Sequence, residues 1–420
     1  MKVAVVYDVG SAGPLDLAQA ARGLCDLIFV HQRGDPRTDG ITGLLGEVGT
    51  PLDVTGFGTD GIVTALRGLH PAGIVTFSEN QLRLTAELAA RLGLPGNSRR
   101  TVRRLTDKAS QRTRLASCGV DSVRFGLIRG LRDVDDALAA VGTPAVIKPR
   151  TGTGSRHTYL VRSNAEARRT VADVFDSCRA AGERMTLLLE ELLVGDEHWA
   201  ASGWGDYLSV ESVTVAGEIR HLGIAGRFPL APPFRETGLM HPSPIGEPLA
   251  ERARALTSSA LAALGVEFGV THTEIKVTAG GPRVIEVNGR LGGYVADVLR
   301  RSGAPDPVRA ALLASLGRGE GATVPVAHSA VAFQLHLPAP DRVATVAKVH
   351  GLEQIGALSG VQSVRWSAPP GTTLDWREGT QSYLGVVSGA APDHDRLSRL
   401  RAQISSLLRI EYADPVKAGR

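Results

Sequence analysis

The segment THTEIKVTAGGPRVIEVNGR, residues 271–290, is what most limits how this chain can fold. β-Branched residues alternate with polar ones on both sides of Ala279-Gly280-Gly281-Pro282, the pattern of two antiparallel strands joined by a turn. A hairpin over 271–288, centred near residue 280, sets Glu274 opposite Glu286. Period-two alternation then gives Ile275, Val277, Ile285 and Val287 one face, the predicted core. His272, Glu274, Lys276, Glu286 and Asn288 share the other face, and Arg290 keeps their parity if the strand continues. Two carboxylates directly across a ladder repel each other. Two carboxylates and an amide at one place form an oxygen-donor set that suits a hard divalent cation. The plainer alternative is a solvated polar face with Lys276 between the acids.

Two further segments carry anion and strand signals. Ala145–Lys148 reads as a strand running into PRTGTGSRH, where Gly152 and Gly154 can turn backbone N–H groups toward an anion. This is no Walker A loop, since Gly-Lys-Ser/Thr is absent, and by itself it is equally a flexible turn. LLLEELLVGDE, residues 187–197, is an apolar strand with an acidic exit, by itself equally an ordinary core strand. Gly56-Phe-Gly-Thr-Asp-Gly61 has dinucleotide spacing, but the preceding LDVT is a poor strand, so no such site is expected there. No HExxH or GxSxG occurs and no nucleophile stands out.

The organisation follows from periodicity. Strands at 2–7, 27–31 and 73–77 alternate with helical stretches at 15–24 and 81–92, which predicts a parallel α/β domain over 1–98. GNSRRTVRRL reads as a polar link, and Thr106 as the cap of a helix over 107–117. A helix is expected at 164–181 and another at 249–264, with strands at 186–193, 208–215 and 218–224. The Pro- and Gly-rich stretch 226–246 is predicted to be a long loop, and such loops are usually functional or disordered. Beyond it, β-rich segments lead to a closing helix at 395–408.

Composition excludes several classes. Hydrophobic residues make up 43% and charged ones 21%, ordinary for a globular protein. No apolar run approaches the ~18 residues of a membrane span. The opening MKVAVVYDVG is too short in its apolar run for a signal peptide, and Cys25, Cys118 and Cys178 show no disulfide framework, so a cytoplasmic setting is expected. The densest basic cluster, Arg99, Arg100, Arg103 and Arg104, has no interleaved aromatics, so neither nucleic acid nor membrane is expected as a partner. Only six of the 47 basic residues are lysines, and they include Lys108, Lys148 and Lys276.

The order of these pieces resembles the ATP-grasp superfamily of carboxylate–amine ligases, over about residues 1–310 and most closely over 105–292. The resemblance implies a mixed α/β and α+β architecture. An N-terminal parallel α/β domain (1–98) would be followed by two α+β subdomains clasping ATP, a smaller one with a Gly-rich lid (105–195) and a larger one with the metal site (196–324). A β-rich C-terminal region (325–420) would complete the chain. It also implies roles for residues. Lys108 in LTDKASQR and Lys148 in VIKPR would meet the nucleotide, and Gly152, Gly154 and Ser155 would close over its phosphates. The backbone of Glu190 and Leu193 would read the adenine edge and Glu197 the ribose. Glu274, Glu286 and Asn288 would hold Mg2+, or Mn2+ in its place, while Arg290 and Lys148 would be catalytic.

GRFPLAPPFRETGLMHPSPI followed by GRLGGY resembles the L-amino-acid ligases that make dipeptides. This likeness places Glu236 at a substrate amine, and Arg290 with Gly292 and Gly293 at a substrate carboxylate. Phe228, Leu230 and Phe234 would line a side-chain pocket or cap the core. The implied activity turns a small carboxylate into an acyl-phosphate and joins it to an amine, releasing ADP and phosphate. The alternatives are a carrier-protein thiol or hydroxyl acceptor, or an ATP-binding regulatory protein without turnover. Amino acids are the implied small-molecule partners, and a homodimer is implied by the family.

Overall fold

In the computed structural model, residues 1–319 and 330–413 are described. Lys2–Val6 is apolar on both faces because both are covered: Val3 and Val5 join one cluster, Ala4 and Val6 another. It lies inside a four-stranded parallel sheet ordered Thr50–Asp53, Asp26–His31, Lys2–Val6, Gly73–Val75. LDVT, expected to be a poor strand, supplies part of the edge strand Thr50–Asp53. Its pairing with Ile28–His31 outweighs its weak propensity. A helix, Thr59–Leu69, follows it.

The expected polar link is a helix, Arg99–Thr106. Ser98 caps it by accepting from the Thr101 amide. Thr101, Val102 and Leu105 are buried while Arg99, Arg100 and Arg103 face outward, so the dense charge masks an amphipathic stripe. The next helix, Lys108–Ser117, is capped by Asp107 rather than Thr106.

Residues 125–191 build an antiparallel sheet in the order Phe125–Ile128, Leu187–Glu191, Ala145–Pro149, Tyr159–Val161. Strand alternation sorts its residues. Ile147, Leu187 and Leu189 pack against the helices Val134–Val141 and Asn164–Ala180, which leaves Lys148 and Glu190 on the opposite face.

The largest sheet has eight strands: Gly281–Asn288, Phe268–Thr278, Tyr207–Val215, Glu218–Arg227, Gly238–His241, Val331–Pro338, Tyr383–Ala391 and Val361–Trp366. The expected boundary at 324/325 falls outside the described residues, and the sheet is continuous on either side of it. One face packs Ile275, Val277, Val284 and Val287 on the helix Glu247–Leu264. Further along, Phe228, Met240 and Phe333 pack with the helix His394–Leu407, so Phe228 caps the core.

The stretch 226–246 is not wholly loop. Gly238–His241 returns as a strand paired with Gly226–Arg227 on one side and Ala332–Leu335 on the other. Its Pro and Gly content conceals a turn closed by the Ala231–Arg235 bridge. Gly238 has φ 131°, and a Cβ there would lie 2.1 Å from the Gln334 carbonyl oxygen. Gly238→Ala should therefore destabilise the protein by about 2 kcal/mol or more, read as a lower denaturation midpoint.

Candidate functional site

The hairpin pairs in the expected register: His272 opposite Asn288 and Glu274 opposite Glu286. A bulge between Glu274 and Ile275 then shifts the pairing. The extra residue reverses parity toward the turn, so Val284 is buried in the core and Ile285, expected there, is only half-buried. The bulge is held from outside. Arg112 donates to the carbonyl oxygens of Val284 at 2.9 Å and Ile285 at 2.5 Å. Gln111 bonds both the amide and the carbonyl of Val287 at 2.8 Å. An edge strand's open hydrogen-bonding groups are thus covered by the helix Lys108–Ser117.

That helix brings its first residue to the carboxylates. Lys108 Nζ lies 2.9 Å from Glu286 Oε1 and donates to the Gly152 carbonyl at 2.8 Å. One lysine therefore joins the hairpin to the Gly-rich loop. Lys148 Nζ lies 2.6 Å from Glu190 Oε2, and Arg112 grips the same carboxylate with two bonds of 3.0 Å. Burial opposes the Glu190 charge, but Arg112 and Lys148 outweigh it and hold its pKa at about 2. Burial, only partly offset by Glu190, pushes Lys148 below its ordinary value. Two cations share one carboxylate, which leaves positive charge for an arriving anion.

The loop after Lys148 adopts backbone that favours glycine: φ is 122° at Gly152, 70° at Gly154 and 57° at Ser155. Gly154 is tied to the C-terminal region, its carbonyl accepting from the Thr380 amide at 2.9 Å. Thr380 Oγ1 in turn accepts from the Glu236 amide at 3.3 Å. Leu193 follows the strand Leu187–Glu191, and exposed Glu197 opens the short helix Glu197–Ala201.

A second group of charges lies on the same face of the large sheet. His272 Nδ1 donates to Glu211 Oε1 at 2.6 Å, and its Nε2 is 3.5 Å from Glu274 Oε1. Burial opposes a charged His272, yet Glu211 and then Glu274 raise its pKa to about 9. Burial likewise opposes the Glu274 charge, but His272, Arg227 and Arg290 hold its carboxyl well below the usual range. Arg290 Nε sits 3.2 Å from Glu79 of the N-terminal domain, and its Nη2 donates to Asn288 Oδ1 at 3.5 Å. Gly292 lets the chain pass close by: a Cβ there would stand 2.5 Å from His272 Nδ1. Gly293 follows directly, before Tyr294. Glu236 Oε1 lies 4.0 Å from Arg227 Nε.

The fold therefore brings together Lys108, Lys148, Gly152, Glu190 and Glu286 on one side, and Glu236, Glu274, Asn288, Arg290 and Gly292 on the other. Arg112, Glu211, His272, Arg227 and Glu79 complete the site and were not read from the sequence, although His272 shared the predicted face. Arg112 and Glu190 are 78 residues apart, and Glu211 and His272 61, so no local spacing marks those pairs.

Among the described residues, no three His, Cys, Asp or Glu side chains gather to hold a metal. Glu274, Glu286 and the Asn288 amide nonetheless fit Mg2+, which binds through one or two carboxylates and completes its shell with water and phosphate oxygens. Lys108 already places a cation against Glu286.

His336, beside the rings of Tyr294 and Tyr383, is nearly inaccessible. Burial, aided by Arg227 and Arg365, lowers its pKa to about 4. An unfolded histidine takes a proton below about pH 6.5, while the folded one waits until about 4. Stability from this group is complete above about pH 6.5 and falls by about 3 kcal/mol as the pH drops toward 4. His336→Phe should remove most of that loss, measured as unfolding free energy at pH 7 and pH 4.5.

Residues 141–297 match the ATP-grasp domain, and residues 336–413 match L-amino acid ligase C-terminal domain 2. The chain is 31% identical over 271 residues to carnosine synthase 1 of Gallus gallus, covering 60% of this chain and 28% of that protein. It is 28% identical over 230 residues to the alanine–anticapsin ligase of Bacillus subtilis strain 168, covering 53% and 48%. The chain thus spans less than half the length of either relative. The crystal structure of an L-amino acid ligase from Bacillus licheniformis superposes with a TM-score of 0.80 over 98% of this chain and 99% of that one, at 20% identity. At that identity the likeness speaks for the fold. Taken with the two domain matches, it means that the chain carries an ATP-grasp domain followed by an L-amino acid ligase C-terminal domain.

Proposed function

We propose that this chain is an ATP-dependent ligase that activates the carboxylate of an amino acid, or a similar small acid, as an acyl-phosphate and joins it to an amine, releasing ADP and phosphate. The observation that carries this reading is the pair Glu274 and Glu286 on one rung of the ladder, beside Asn288 and facing Lys108 across a 2.9 Å ion pair. That spot offers oxygens to a divalent cation and positive charge to phosphates. The names of the relatives, a synthase and an alanine–anticapsin ligase, agree with joining an amino acid to a second molecule.

In this reading the chain works in four parts: 1–98, the lid-bearing 105–195, the metal-bearing 196–324 and 325–420. The Glu190 and Leu193 backbone receives adenine and Glu197 the ribose. Gly152, Gly154 and Ser155 cover the phosphates, and Lys148, Lys108 and Arg290 hold their oxygens. Bound to Glu274, Glu286 and Asn288, Mg2+ would offset charge on the transferred phosphoryl group. A carboxylate oxygen of the acid forms a bond to the γ-phosphorus as the bond to ADP breaks. The amine nitrogen then bonds to the acyl carbon, phosphate leaves, and the amine loses its proton. Glu236 meets the ammonium of the acid substrate, and Arg290 with Gly292 and Gly293 lies near its carboxylate. The acyl-phosphate must be kept from water, which gives the Gly-rich loop its purpose.

Purified protein with MgATP and amino acids, singly and in pairs, should release ADP and phosphate and yield a new mass equal to the pair less one water. AMP and pyrophosphate as products would rule out the acyl-phosphate route. Glu286→Gln should lower turnover by at least about 100-fold while the circular dichroism spectrum stays unchanged. Near-normal activity in that variant would remove the metal assignment.

A further inference from the structure

His272 and Glu274 lie two residues apart on the strand Phe268–Thr278, so both side chains leave the same face of the sheet. Register gives each a row of its own. Across three strands one row reads Glu211, His272, Asn288, and the next reads Ser209, Glu274, Glu286. His272 thus neighbours two of the proposed metal ligands, Asn288 across the ladder and Glu274 along its own strand.

The imidazole is fixed on three sides. Its Nδ1 donates at 2.6 Å to Oε1 of Glu211, a residue with no exposed surface. The backbone of Gly292 presses on the ring edge, where a Cβ would lie 2.5 Å from Nδ1 and 2.6 Å from Cε1. Its Nε2 faces Glu274 Oε1 at 3.5 Å. Arg227 Nη2 stands at the same 3.5 Å from Nε2, but that guanidinium nitrogen already donates to Ser209 Oγ at 3.0 Å. A carboxylate at each ring nitrogen favours the form of imidazole in which both nitrogens donate.

A buried ion pair such as Glu211–His272 adds little stability by itself, because desolvating two charges offsets most of their attraction. What it does supply is a ring that cannot turn. Glu274 faces Glu286 across the ladder, and a free carboxylate there would swing away from its neighbour. The second ring nitrogen holds Glu274 Oε1 in place and leaves Oε2 as the oxygen for a cation. Mg2+ demands near-octahedral placement of its oxygens, so a carboxylate already aimed by a fixed neighbour suits it.

We infer that His272 is a positioning residue: anchored on Glu211, it aims the Glu274 carboxylate at the divalent cation. It touches neither nucleotide nor acid and acts through Glu274, so its loss is read first in metal affinity. This rests on the ligase reading above, and within it on the metal assignment of Glu274.

The two ring nitrogens can be tested one at a time. Asn carries its amide nitrogen roughly where Nδ1 lies, and Gln roughly where Nε2 lies. His272→Asn therefore keeps the bond to Glu211 and gives up Glu274, and His272→Gln does the reverse. Mn2+ is titrated into the protein with ADP, and free Mn2+ is read by electron paramagnetic resonance against ADP without protein. His272→Asn should weaken Mn2+ binding at least about 10-fold and His272→Gln at most about threefold, with ADP affinity in EDTA held within about twofold in both. With an active substrate pair, the Mg2+ concentration for half-maximal ADP release should rise in the Asn variant while the KM for the acid stays within about twofold. A role in stability alone predicts a lower denaturation midpoint with unchanged Mn2+ affinity, and that result in a folded Asn variant overturns the inference and leaves the ligase reading intact. An equal or greater loss of Mn2+ affinity in the Gln variant overturns it too, since Nε2 would then not be the nitrogen that matters. If the Asn variant fails to fold, Glu211→Met, which fills the space but gives Nδ1 no acceptor, decides: Mn2+ binding should weaken by about threefold or more, and no weakening overturns the inference. Wild type that binds no more Mn2+ than ADP alone removes the metal assignment, and the inference with it.

Discussion

Glu274 and Glu286 face each other on one rung of a β-ladder, an arrangement that repels and that most of the site is built to tolerate. Each acid has its own cation. Lys108 sits on Glu286, and His272, itself anchored on buried Glu211, sits by Glu274. These compensations come from different elements: the start of one helix, the hairpin and a central strand. Removing the repulsion by mutation would leave Lys108 and His272 with less to hold, so the carboxylates also position their own partners.

The same economy ties the hairpin to the proposed nucleotide side. Arg112 holds the two bulge carbonyls with one pair of nitrogens while gripping Glu190, which also receives Lys148. A change in charge at the proposed phosphate end would therefore be felt at the bulge through a single planar group. Rigid coupling of this kind suits phosphoryl transfer, where catalysis is mostly the positioning of charges.

The hairpin was legible because strand alternation is a rule about neighbours, and both strands lie within one short segment. Its bulge was not, because one extra residue breaks the period without changing composition, and so Ile285 was assigned to the wrong face. The helix Arg99–Thr106 was hidden by its arginines, and the strand Gly238–His241 by the prolines and glycines around it. Of the site, lysines and acids in recognisable segments could be read. Glu211, Arg112 and Arg227 could not: Glu211 meets His272 and Arg112 meets Glu190 only in the fold, from more than sixty residues away, and Arg227 meets Glu236 only because the chain turns back between them.

The C-terminal region enters through contacts rather than through chemistry of its own. Its Thr380 donates from its amide to Gly154 in the proposed lid and accepts through its hydroxyl from Glu236 in the proposed substrate loop. Gly379 permits this approach, since a Cβ there would lie 2.2 Å from the Gly154 carbonyl oxygen. Nearby, Tyr159 and Trp376 meet edge to face, and Arg156 pairs with Glu378 at 3.4 Å. The proposed lid and substrate loop thus share one anchor in the C-terminal region. A lid that closes only on its own subdomain would sense ATP alone. One fastened through Thr380 to the backbone of Glu236 would have its closed position set partly by the loop proposed to read the acid, so that enclosure of the phosphates and seating of the acid would be mechanically linked. In the proposed reaction such a link serves a purpose, because phosphoryl transfer to water with no acid in place would only waste ATP.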